Sequence, residues 1–183
     1  MFIASQKRKE NISEYLLYMW QVEDLIRANG LDIDRITTNV IDRFGLLEEQ
    51  RKQMIEWYES LIDMMRRENI SEKGHLQLNK NTIIQLAQLH DAVLKEPRLT
   101  EYSAEYYKTL PFIVELRAKA GENKQGELET CFTALYGTLL LRLQGKEITK
   151  DTQTALAQIS RFIAILSYYF KLDSEDKLFN NKD

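Results

Sequence analysis

Between Ile12 and Ala28 apolar residues return every three or four positions, at Ile12, Tyr15, Leu16, Met19, Val22 and Ile26. Leu17, Tyr18, Trp20 and Leu25 widen this arc until little of the circumference stays polar. A helix apolar nearly all round is enclosed by other helices, whereas a surface helix shows one stripe. Asn11, three residues before Glu14, is a capping-box-like start, and Asn29-Gly30 is a natural stop. The pattern therefore predicts a central helix over residues 12–28.

The same period recurs along the chain. It predicts a short helix over 32–43, capped by Asp32 and striped by Ile33, Ile36, Val40 and Phe44, with Gly45 as its stop. A long helix over 46–69 follows, with Met54, Tyr58, Leu61 and Met65 as its seam. The period is lost over 68–81, where Gly74, His75 and the run Asn79-Lys80-Asn81 predict the longest loop. A fourth helix over 82–95 turns Ile83, Leu86, Ala87, Val93 and Leu94 inward and ends before Pro97. The fifth, over 100–120, contains Pro111, which predicts a kink or a break.

GENKQG at 121–126 reads as a turn. A sixth helix over 127–143 is expected to bury Leu128, Phe132, Leu135 and Leu139, with Gly145 closing it. The last, over 150–172, starts at the cap Thr149 and carries Leu156, Ile159, Ile163, Leu166 and Phe170. The ends, about 1–8 and 173–183, are expected to fray. No strand alternation, internal repeat or low-complexity linker interrupts the series. Short connections between amphipathic helices favour antiparallel neighbours. The expectation is an all-α fold: one domain over 1–183, an antiparallel bundle of six to seven helices.

Composition narrows the function classes. The 183 residues are 44% hydrophobic and 29% charged with a formal net charge of −3, an ordinary soluble make-up that argues against nonspecific binding of nucleic acid. Cys131 is the only cysteine, so no internal disulfide can form, which fits a reducing compartment. The opening places its basic cluster after a very short apolar start, the reverse of a secretory signal. The apolar run at 162–170 is too short to span a bilayer. A cytoplasmic protein with no membrane role is expected.

One stretch is distinctive. The opening MFIASQKRKENISEYLLYMWQVEDLIRANGLD, with Tyr15 followed by the run Trp20, Gln21, Val22, Glu23 and Asp24, resembles a family of uncharacterised bacterial proteins known only as a domain of unknown function. The resemblance implies a small helical protein of bacterial origin. It brings no activity, ligand or catalytic residue.

Motifs with known chemistry are incomplete. Gly121 and Gly126 have the glycine spacing of a phosphate loop, but Glu127 and Leu128 stand where Lys and a hydroxyl are needed. Glu72-Lys73-Gly74-His75 is the one Glu-x-x-His, and a paired di-metal centre needs two on facing helices. With two histidines and one cysteine, no metal site or cofactor is expected. Residues 32–57 can be read as helix-turn-helix, yet Glu48-Glu49 would face phosphates with the wrong charge.

Polar residues on apolar stripes are the candidates that remain. Glu23 falls between Met19 and Ile26 with Arg27 one turn on, His90 sits among Leu86, Ala87, Val93 and Leu94, and Arg117 continues the stripe of the fifth helix. A buried ion costs several kcal/mol, so each should be paired, half-exposed or useful. One reading is a small-molecule or anion-binding interhelical pocket formed by Tyr15, Trp20, Glu23, Arg27, His90 and Arg117. The other is structural: Glu23 and Arg27 form an i,i+4 pair, and Arg27 and Arg117 complement helix C-termini. No catalytic residue is assigned.

Tyr106-Tyr107 and Tyr168-Tyr169 point neighbouring rings to different sides, so one of each pair should reach the surface, where amphipathic aromatics suit an interface. The leading expectation is a non-enzymatic protein-interaction module with a protein partner, which can be a second copy of itself.

Overall fold

The computed structural model describes residues 2–121 and 125–179. Among the described residues the protein is all-α, with no strand. The helices are α1 (Phe2–Glu10), α2 (Ile12–Ala28), α3 (Ile33–Asn39), α4 (Glu48–Arg67), α5 (Gln77–Leu94), α6 (Thr100–Lys119), α7 (Glu127–Leu143) and α8 (Lys150–Ser174), with a 3-10 turn at Ile41–Phe44. The helix count is thus eight, where six to seven were expected. The addition is α1, whose nine residues hold too few apolar positions to show a period. Ala4 is its buried contact, and Lys7, Arg8 and Lys9 in its last turn complement the helix C-terminus. Lys7 reaches Glu14 at 2.8 Å, and the Arg8 guanidinium lies 5.2 Å over the Tyr15 ring.

The punctuation residues act as their chemistry dictates. Asp32 caps α3 by accepting from the backbone N–H groups of Asp34 and Arg35. α3 stops at Asn39, earlier than expected, because the chain tightens into the 3-10 turn. The inward position passes to Ile41, and Phe44 is left exposed. Gly45 then takes a φ of +59°, where a side chain would be strained. Pro111 does not break α6, which runs on through it. Both Pro111 and Tyr107, one turn earlier, are exposed, so the carbonyl that loses its donor lies on the solvent side. Residues 122–124 of the expected turn lie outside the described residues.

Contacts divide the chain into two compact units. The first comprises Met1–Lys9 with Glu14–Asn81, the second Glu10–Ser13 with Thr82–Asp183. Buried side chains of the first include Leu16, Trp20, Ile26, Ile36, Ile41 and Met65. In the second, α6, α7 and α8 pack pairwise on one another. Tyr102, Phe132, Ile159, Phe162 and Leu166 are fully buried there. No helix among the described residues is long and apolar enough to cross a membrane.

Candidate functional site

α5 begins at Gln77, five residues before the expected start, because Leu76 and Asn79 are completely buried where a polar loop was anticipated. What they are buried against is Glu23. This carboxylate, in the middle of α2, has no solvent exposure at all. Its Oε1 accepts the backbone N–H of Leu76 at 2.9 Å and the Nδ2–H of Asn79 at 2.7 Å. Its Oε2 lies 2.6 Å from His75 Nδ1. The next backbone N–H, that of Gln77, donates to Glu68 Oε2 at 2.7 Å. Two carboxylates therefore satisfy orphan donors at the start of α5, where the helix dipole favours negative charge.

Arg27, one turn beyond Glu23, serves the other side of the same loop. It is not bonded to Glu23. It pairs with Asp24 at 2.8 Å and donates to the carbonyls of Ile70, from Nη2 at 3.2 Å, and of Gly74. One turn of α2 thus holds residues 70–79 through both halves of the backbone's hydrogen-bonding capacity. Glu23 takes donors and Arg27 takes acceptors.

The His75 ring stacks on Trp20, with centroids 4.0 Å apart and planes within 12°. It keeps 28% of its side chain exposed. With Nδ1 turned to Glu23, Nε2 makes no hydrogen bond among the described residues. Asn79 Oδ1 is buried and has no hydrogen-bond partner there either. A carboxylate that fixes one imidazole nitrogen and leaves the other open orients that nitrogen toward an incoming group.

The remaining expected residues are placed otherwise. Tyr15 is buried under Arg8, and no hydrogen bond joins it to the Glu23 cluster among the described residues. His90 and Arg117 belong to the other unit. His90 Nδ1 lies 2.6 Å from the Tyr102 hydroxyl, in a cluster with Tyr106 and Phe162. Burial pushes His90 below the usual imidazole range, against the pull of Asp91 and Glu127, and pushes Tyr102 well up. Tyr102 therefore keeps its proton, and its hydrogen bond to His90 joins two uncharged groups. Tyr106 donates to Glu127 at 2.8 Å, and burial followed by that bond raises it too. Arg117 is exposed in the last turn of α6. Trp20, Glu23 and Arg27 are the expected residues that gather at one loop.

His75, Leu76 and Asn79 were not among the sequence candidates. Glu72-x-x-His75 drew attention as a metal spacing, whereas the ring's partner is a carboxylate fifty-two positions away in sequence. Among the described residues no group of three or more His, Cys, Asp or Glu is placed to hold a metal ion. Cys131 is buried, and burial pushes its thiol up to about 12, so it stays protonated.

The other unusual surface is on α7. Leu128, Cys131, Phe132 and Tyr136 are buried. Leu135, at its middle, and Leu139 and Leu140 are half-buried, while Leu141 is 38% and Leu143 71% exposed. Of the tyrosine pairs, Tyr106 and Tyr169 are buried while Tyr107 and Tyr168 are exposed.

A family model described as "Domain of unknown function (DUF4924)" matches residues 1–177. No curated protein and no solved structure is matched.

Proposed function

The chain belongs to the DUF4924 family, a domain of unknown function, and we propose that it is a non-enzymatic helical module that works by protein–protein contact. The observation that carries this is the end of α7, where Leu139 and Leu140 are half-buried and Leu141 and Leu143 exposed. Scattered exposed leucines are ordinary, but here Leu139 and Leu143 continue the row of the buried Cys131, and Leu140 that of the buried Phe132 and Tyr136, so the core-facing side of the helix runs on only partly covered. Fully burying a leucine is worth roughly 1.5–3 kcal/mol, so several kcal/mol of apolar stabilisation are left for a partner to supply. Tyr107 and Tyr168 add exposed aromatic surface of the kind enriched at interfaces. The buried ions, by contrast, have structural work: Glu23 and Arg27 are committed to the 70–79 segment.

A photo-reactive residue at position 141 tests the reading. It is expected to give one discrete cross-linked species in cells expressing the chain, and the same residue at exposed position 52 on α4 should not. Equal cross-linking at both positions, or none at 141, excludes it.

A second reading rests on the orphaned Asn79 Oδ1 and the open Nε2 of His75, two groups held by one carboxylate. Together they suit a small ligand that donates to both. Small amines and alcohols should then raise the melting temperature of the intact protein and lose that effect in Glu23→Gln. An equal gain in both proteins rules the site out.

A further inference from the structure

A cavity of about 460 Å³ lies within the second unit, between α5 and the start of α7, and is large enough for a small organic molecule. We propose that it binds a protonated amine carried on an apolar body, of the arylalkylamine kind.

Three features of its lining carry this. The first is the apolar wall. Ala87 and Leu94 share one face of α5 with His90 and Asp91, and Leu128 of α7 lines the cavity as well. Ile84 lines it too while 50% exposed, which is apolar surface that a ligand's body would cover.

The second is charge. Asp91, Glu127 and Glu129 all line the cavity, and no Lys or Arg stands among the described residues that do. Glu127 is fixed by the Tyr106 hydroxyl at 2.8 Å, and Tyr106 is itself a lining residue. Asp91 and Glu129 make no hydrogen bond or ion pair among the described residues. An entering cation therefore meets two carboxylates that give up no bond to receive it, beside an aromatic ring of the kind that attracts cations. These groups are not gathered to hold a metal ion. With apolar walls around them, the ligand they suit is an organic cation.

The third is His90. It is 7% exposed, its Nδ1 is held by the Tyr102 hydroxyl, and its Nε2 makes no hydrogen bond among the described residues. With Nδ1 so held, the edge that carries Nε2 is the one left to meet a ligand. A buried polar atom without a partner calls for one. Burial also keeps the ring uncharged against the pull of Asp91 and Glu127, so their charge is not cancelled by the imidazole.

Phenethylamine is the probe. Titrated into the full chain with labelled Ile and Leu methyl groups, it should shift the signals of Ile84, Leu94 and Leu128 saturably. A dissociation constant on the order of 0.1–1 mM is expected for so small a ligand. 3-Phenylpropionate and 2-phenylethanol carry a similar body with negative or no charge, and each should bind at least about tenfold more weakly. Asp91→Asn combined with Glu129→Gln should weaken phenethylamine by about tenfold, whereas the charge-matched pair Glu56→Gln and Glu72→Gln in the other unit should not. No saturable shift at about 10 mM overturns the inference. Equal binding of the acid or the alcohol, or an affinity indifferent to the Asp91 and Glu129 substitutions, does the same. Shifts confined to the neighbours of His75 would put the amine at the Glu23 loop instead and equally overturn it.

Discussion

The desolvation of Glu23 is offset by the groups that meet its two oxygens: the Leu76 backbone N–H, the Asn79 amide and the His75 ring. Removing it strands those groups in the interior. Glu23→Ala should therefore destabilise the protein by about 3 kcal/mol, since a hydrogen bond to a charged group is worth more than a neutral one and each orphan adds a desolvation cost. Urea unfolding measures this. That Glu23 sits on the buried arc was legible from its place between Met19 and Ile26. Its partners were not, because they come from a segment with no period, some fifty positions away. The i,i+4 spacing of Glu23 and Arg27 suggested a pair, yet tertiary donors and acceptors outcompeted it. His90 gives a second test at this scale. Its folded pKa is depressed from the ordinary 6.5, chiefly by burial. The unfolded chain thus takes up a proton that the folded one refuses, so this stability is present above about pH 6.5 and is lost as pH falls below it. Wild type should weaken between pH 7.5 and 5.5 more than His90→Gln. Comparing the two removes the contribution of the carboxylates common to both.

At the scale of the element, periodicity located α2, α4, α6, α7 and α8 to within two residues at either end, because each has a seam long enough to repeat. It missed α1, which is short and mostly polar, and it missed the first turn of α5. There the run Asn79-Lys80-Asn81 looked like a loop, since the reason for the helix lies in Glu23 rather than in local propensity. Pro111 suggested a kink or break in α6, but the helix runs on through it, with the cost falling on the solvent side. The caps Asp32 and Thr149 behaved as read. Asp32→Ala should lower stability by about 1 kcal/mol through loss of its two N-terminal acceptor bonds. Gly137→Ala should raise it by roughly 0.5–1 kcal/mol, because the position is helical and has room for a methyl group. Thermal or urea denaturation of the two variants separates these opposite signs.

For the whole molecule, the all-α class followed from the sequence, while the division of contacts into two units did not. Nothing in the apolar stripes distinguishes which helix a seam faces. The stripe of α7 illustrates this limit. Leu135 and Leu139 were expected to be buried and are half-buried. The uncovered end is the basis of the contact reading. Association through it should cost the single thiol nothing: Cys131 is buried and protonated within the chain itself. It should resist a thiol reagent until the protein is unfolded, whether or not a partner is bound. Labelling followed by mass spectrometry checks that. The measurement that bears most directly on the central claim is cross-linking, in cells expressing the chain, from a photo-reactive residue at position 141. The account predicts one discrete cross-linked species, which the same residue at position 52 does not give. Equal cross-linking at both positions, or none at 141, would contradict it.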